Sequence, residues 1–197
     1  MENLNNITCQ CKYCNTRTYY FAINEELVWV EIPKNASWLI KEYIFKNKMK
    51  ILNKDKINKY TEGFTILRDP ISRFKSLLSH YFISGTRVKM GRAWLRLINN
   101  KIPVSNQTIA GIVLNNFDKI HLISEPHHWR TQRSFIPDEF FNLNYNFYDI
   151  NTIGKVFNTD LKTNTSESDK IILSDEDISK IKKYYIDDFN LFNEHIL

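Results

Sequence analysis

Glycine is scarce in this chain, with 5 in 197 residues, and no Gly-x-x-x-x-Gly-Lys stretch occurs. That excludes a phosphate loop of the Walker type. Cysteine is rarer still. The 3 present, Cys9, Cys11 and Cys14, all fall in "CQCKYC". An odd, clustered set argues against a disulfide framework. The spacing suits zinc only with a fourth ligand, which does not follow nearby. The expectation is reduced thiols on an N-terminal hairpin, at about residues 1–26, and no metal. No segment is long and apolar enough for a signal peptide or a membrane span. A soluble, cytoplasmic chain without a membrane partner is therefore expected.

The chain that remains is ordinary in bulk. Hydrophobic residues make up 43% and charged residues 25%, and the net charge is +5. The length suits one domain with a sizeable core, taken as residues 1–197. The mild positive charge favours an anionic ligand without naming it.

Strands and helices alternate along the sequence. "TYYFAI" and "LVWVEI" flank Asn24-Glu25-Glu26 and read as a hairpin. A helix is expected at about residues 37–46, with Leu39, Ile40, Tyr43 and Ile44 on one face. The lysine-rich "KNKMKILNKDKINK" reads as solvated surface around a short strand or loop. "EGFTILRDP" is a buried strand, and Pro70 suits the first turn of the next helix. That helix, "PISRFKSLLSHYFI", sets Ile71, Phe74, Leu77, Leu78 and Tyr81 on one face. Further on, Trp94, Leu95, Leu97 and Ile98 are core candidates. "NYNFYDI" reads as a strand, "NTIGKVF" as a short helix and "NTDLKTNTSESDK" as a polar loop. Ser174 and Asp177 form a capping-box pattern that opens one or two C-terminal helices. The pattern implies an α/β layer fold with a parallel central sheet flanked by helices.

The strand "LVWVEI" leads through Pro33, Lys34, Asn35, Ala36 and Ser37 into a helix. Ligands of α/β sheets bind beyond the carboxyl ends of the strands, where a helix N-terminus offers unpaired N–H groups. Small side chains at Ala36 and Ser37 let an anion approach, and Lys34 adds a full charge. A second strand–loop–helix, "ILRDPISRFKS", places Arg68 at a strand end and Ser76 on the following helix. Arginine at such a position needs an anion or a carboxylate, and pairing of Arg68 or Arg73 with Asp69 is the plain alternative.

"IPKNAS" and "LRDPISRFKS", in that order, resemble the nucleotide-binding signature of sulfotransferases that use 3′-phosphoadenylyl sulfate, and within them the carbohydrate sulfotransferase branch. "HHWRTQ", with His128 and Gln132, is similar to that branch's His-x-x-x-Gln segment. "YYIDDFNLF" is similar to its C-terminal Tyr-x-x-Asp-Phe helix through Tyr185, Asp188 and Phe189, and "KTNTS" to its Asn-Ser element. The likeness runs from about residue 27 to residue 192.

The resemblance implies a P-loop-like three-layer fold and transfer of a sulfuryl group from 3′-phosphoadenylyl sulfate to an acceptor hydroxyl, with a glycan favoured. The nucleotide would be held by Lys34, Asn35, Ala36, Ser37, Trp38, Arg68 and Ser76, without a metal. Lys34 would stabilise the leaving phosphate, and Arg68 with Ser76 the 3′-phosphate. Where the family carries Thr or Ser four positions after the lysine, this chain has Trp38. Either Ser37 supplies the hydroxyl, or backbone N–H groups suffice, or the site is weakened. The indole is expected to turn aside, onto the sheet or over the cradle. The candidates for general base are His128 and Glu62. Glu42 and Asp55 are the other carboxylates between the two motifs. Glu62 precedes its strand, while the active edge lies at the strand's far end. The competing reading is a non-catalytic basic module that binds nucleotide or nucleic acid through aromatics and cations. The aromatics fall at core spacing, which disfavours nucleic acid.

Overall fold

The structure is a computed structural model and describes residues 19–46, 48–98, 101–123, 125–158 and 167–196. Cys9, Cys11, Cys14 and the "KTNTS" loop lie outside the described residues. The described residues form two compact units. Among the described residues, one draws on residues 19–68, 131–158 and 190–196 and contains the sheet; the other draws on 69–130 and 167–189 and is helical.

The sheet unit carries five strands: β1 (Tyr19–Ala22), β2 (Leu27–Glu31), β3 (Lys50–Leu52), β4 (Glu62–Leu67) and β5 (Asn144–Asp149). Their order is β3-β1-β2-β4-β5. The sheet is mixed. β1 pairs antiparallel with β2 and β3, whereas β2–β4 and β4–β5 are parallel. The expected β1–β2 hairpin forms because Asn24 folds the turn. Its Oδ1 accepts from the N–H groups of Glu26 (2.8 Å) and Leu27 (2.7 Å).

Both faces of β2 are covered, which is why Leu27–Val30 is a continuous apolar run. Val28 and Val30 pack with Tyr20, Phe140 and Leu191. Trp29 packs on the other face with Phe21, Phe64, Ile40 and Ile153. The segment after β2 begins as α1 (Ser37–Leu39) and widens into a π-helical stretch, Ile40–Ile44. The short α5 (Ile153–Val156) covers the same face as α1.

The helical unit opens with α2 (Pro70–Leu78). Asp69 caps it, its Oδ1 accepting from the Ser72 N–H at 2.7 Å, and Pro70 stands at the first position as expected. A π-helical stretch, Ser79–Ile83, follows, then α3 (Val88–Leu97) and α4 (Ile109–Asn115). The C-terminal region forms two helices, α6 (Asp175–Tyr184) and α7 (Ile186–His195). The capping box is present: Ser174 Oγ accepts from the Asp177 N–H (3.1 Å), and Asp177 Oδ2 accepts from the Ser174 N–H (3.0 Å). Phe74, Leu77, Tyr81, Trp94 and Trp129 form the centre of this core. Leu97 does not join it. It is 66% exposed at the end of α3, and the neighbouring Ile98 packs against the core instead. No helix among the described residues is long and apolar enough to cross a membrane.

Gly91 lets α3 lie against the preceding turn. A Cβ there would overlap the Tyr81 carbonyl oxygen and press on Phe82. Helix propensity alone favours alanine in a helix interior by about 1 kcal/mol. Overpacking against a backbone atom costs about 1–3 kcal/mol or more, since the obstacle cannot rotate away. Gly91→Ala is therefore expected to lower stability in urea unfolding. An unchanged or raised midpoint would show that α3 does not press on the Tyr81 backbone.

Candidate functional site

The loop from Pro33 to Ser37 leaves the carboxyl end of β2, and Arg68 follows the carboxyl end of β4. The parallel register sets Val30 beside Thr65, which brings Pro33 level with Arg68. The strand ends therefore carry the Pro33–Ser37 loop and Arg68 to one edge of the sheet.

The loop backbone is unusual for a segment without glycine. Lys34 (φ 73°) and Ala36 (φ 60°) both adopt left-handed conformations, and Asn35 between them does not. Each such residue costs about 1–2 kcal/mol relative to a right-handed one. Alternating conformations of this kind turn successive N–H groups to one side and make a concavity suited to an anion.

Strain of this sort persists only where the surroundings enforce it. Here they do so through a buried amide pair. Asn35, 1% exposed, donates from Nδ2 to the Ile66 carbonyl (2.7 Å) and to Gln132 Oε1. Gln132, wholly buried, also accepts the Arg68 N–H at 3.1 Å and donates from Nε2 to the Arg68 carbonyl at 2.8 Å. Arg68 Nη1 in turn donates to the Lys34 carbonyl at 3.3 Å. The loop is thus tied to the end of β4 by main chain and side chain together. Asn35 Oδ1 is buried and finds no partner among the described residues.

The remaining loop candidates are placed as follows. The Ser37 hydroxyl donates to the Ile32 carbonyl at 3.2 Å, so it closes the turn. Trp38 is 56% exposed, turned outward as expected for an indole that leaves the loop clear. The reason is helical phase. Leu39 and Ile40 take the buried face, which turns Trp38 outward. Glu62 opens β4 opposite Leu27, exposed and at the far end of the strand from Arg68. That separates it from the lysine loop. Glu42 and Asp55 are exposed.

Ser76 and His128 belong to the helical unit. Ser76 is buried on α2. His128 is half-buried, with Nδ1 2.9 Å from the Tyr81 hydroxyl. Its backbone belongs to a segment held by a buried arginine. Arg73 Nη2 donates to the His128 carbonyl (3.0 Å) and Nη1 to the Arg130 carbonyl (2.9 Å). The intervening Trp129 carbonyl accepts from the Tyr185 hydroxyl at 2.9 Å. Asp188 Oδ2 lies 3.9 Å from Arg73 Nη1 and supplies the counter-charge. Burial lowers the Arg73 pKa against the opposing pull of Asp188, and burial raises the Tyr185 phenol far above its ordinary value. Arg73 is therefore not the surface partner of Asp69 that its sequence position allowed. The Tyr-x-x-Asp pair on the last helices serves as scaffold for residues 128–130.

Sequence reasoning singled out Gln132 only as a matched letter. Its role as the clamp between Asn35 and Arg68 was not readable, and neither was the Tyr81–His128 contact. Among the described residues no group of three His, Cys, Asp or Glu side chains is arranged to hold a metal ion. Comparison of the chain with models of known families, with curated proteins and with solved structures found no match.

Gln132→Met keeps the volume and removes three hydrogen bonds, leaving the Arg68 main chain and Asn35 Nδ2 under-satisfied in a buried place. Orphaned buried groups cost about 1–3 kcal/mol each. A loss of about 2–4 kcal/mol in denaturant unfolding is expected. An unchanged midpoint would show that the amide does not hold the loop.

Proposed function

We propose that the chain is a sulfotransferase that moves a sulfuryl group from 3′-phosphoadenylyl sulfate to an acceptor hydroxyl, with a sugar hydroxyl favoured. The observation that carries this reading is the left-handed lysine loop fixed by the Asn35–Gln132–Arg68 network. A chain poor in glycine maintains two strained residues here, next to two cations. An anion cradle explains that arrangement, and a plain connecting turn does not need it. In this reading β2, β4 and β5 are the nucleotide-binding part of a P-loop-like sheet.

The residues suit the chemistry. Transfer of a sulfuryl group asks for alignment and for stabilisation of spreading negative charge, as phosphoryl transfer does. The loop N–H groups bind the 5′-phosphosulfate, and the Lys34 ammonium stabilises charge growing on the leaving phosphate. The Arg68 guanidinium has five donors. One reaches the Lys34 carbonyl, and a guanidinium of this shape can bind the 3′-phosphate bidentately. Arg68 thus has two tasks, holding the loop and reading the 3′-phosphate.

Calorimetry with 3′-phosphoadenosine 5′-phosphate, ATP and a single-stranded oligonucleotide tests the proposal. The bisphosphate should bind in preference to the other two. Lys34→Ala should keep the fold and lower turnover on an identified acceptor by about 10²–10³-fold. Arg68→Ala should weaken the bisphosphate by about 10–100-fold, the equivalent of about 1.5–3 kcal/mol. Adenosine 5′-phosphosulfate, which lacks the 3′-phosphate, should lose much less. Equal losses for both ligands would leave Arg68 a structural role only. Binding of the oligonucleotide without the bisphosphate would overturn the enzyme reading in favour of a nucleic-acid module.

A further inference from the structure

We propose that the outward face of α3 docks on a membrane surface rich in anionic phospholipid. The face stands out first by its charge. No Asp or Glu occurs between Asp69 and Asp118, and the lysines and arginines of that stretch exceed the net charge of the whole chain, +5. Two of them are engaged within the helical unit. Arg73 holds the carbonyls of His128 and Arg130, and Arg87 grips the Glu125 carboxylate. Lys89, Arg92 and Arg96 are different. All three are exposed on α3, which carries no acidic residue, and they form no ion pair among the described residues.

Their spacing of three and four residues sets them on one stripe along the helix. Ala93 and Leu97, four apart, line its margin, and both are exposed, Leu97 by 66%. The opposite side of α3 is fixed. Gly91, Trp94 and Leu95 are buried, and Trp94 donates from Nε1 to the Lys119 carbonyl at 2.9 Å. The rotation of the helix is therefore set by its core contacts, and the stripe is presented to solvent as a rigid feature.

Charge complementarity names the class of partner, and Leu97 narrows it. Arg92 and Arg96, one turn apart, are a like-charge pair, which disfavours the helix unless an outside anion offsets it. A soluble polyanion would use the cations alone. An anionic bilayer uses both features: its headgroups take the cations, and the boundary of its acyl chains takes Leu97. The long stems of lysine and arginine let their charged ends stay among the headgroups while the leucine reaches deeper. Such contact is peripheral, and the lack of a spanning helix among the described residues does not bear on it. Docking of this kind is independent of the sulfuryl-transfer reading.

Sedimentation of the full chain with vesicles at about 0.1 M salt tests the docking. The chain should sediment with vesicles of two parts phosphatidylcholine to one part phosphatidylserine, and not with phosphatidylcholine alone. Each cation near an anionic surface is worth about five-fold in affinity, so Lys89→Gln, Arg92→Gln and Arg96→Gln together should weaken binding about 100-fold. Leu97→Ser should weaken it about ten-fold. These side chains are exposed, so the unfolding midpoint in urea should hold in both variants. Lys182→Gln with Lys183→Gln, exposed on α6, also lowers the net charge and should leave binding unchanged. Failure to sediment with phosphatidylserine would overturn the proposal. So would binding that the triple variant leaves intact, or that the α6 pair lowers as far as the triple variant does. Binding lost in the triple variant but unchanged by Leu97→Ser would overturn the lipid surface in favour of a soluble polyanion, for which heparin and a single-stranded oligonucleotide are the probes.

Discussion

The side-chain amide of Gln132 is the constraint on which the lysine loop depends. It bonds both main-chain groups of Arg68 and the side chain of Asn35 at once. Without it, the backbone at Lys34 and Ala36 would have every reason to relax, since neither residue tolerates a positive φ as glycine does. Loops with positive φ commonly use glycine and accept its entropic cost. This chain solves it with a buried polar network, which restricts the loop in the folded state instead. The consequence is rigidity: the loop N–H groups are held in place by the fold, and in the proposed function binding would not have to order them.

The helical unit uses a related device. Three successive carbonyls, of His128, Trp129 and Arg130, accept from Arg73, Tyr185 and Arg73 again. A stretch containing His127, His128 and Trp129 forms only a short 3-10 turn, Pro126–Trp129, so its carbonyls are not satisfied by regular secondary structure. Buried donors must meet them. A fully buried arginine would be expensive alone, and Asp188 offsets its charge. The cost is accepted where a backbone segment has to be held in an irregular shape, and here that segment carries the histidine bonded to Tyr81.

Charge follows from these placements. Lys34 and Arg68 are half-buried in the sheet unit, on loops at the ends of neighbouring parallel strands. The Arg68 guanidinium reaches the Lys34 carbonyl, and the loop N–H groups add to the positive field. The proposed occupant, an anion with more than one negative group, suits such a field. The sulfonucleotide reading is one member of that class, singled out by the order of the two motifs in the chain.

The amino-acid sequence by itself determined the local elements. Asn24 predicted the hairpin turn, Asp69-Pro70 the start of α2, and Ser174 with Asp177 the start of α6, and each acts as its chemistry implies. Apolar spacing placed Phe74, Leu77 and Tyr81 in a core. Leu97 shows the limit, since periodicity cannot tell which of two adjacent apolar residues meets the neighbouring element. The motif residues Lys34, Arg68, His128 and Gln132 were legible as letters, but their roles were not. Only the tertiary structure decided that Gln132 clamps Arg68 across 64 positions and Asn35 across 97, and that Arg73 is buried rather than paired with Asp69. The physical reason is range. Turns, caps and periodicity are written within a few residues, whereas a side-chain bond between distant segments leaves no local pattern in either of them.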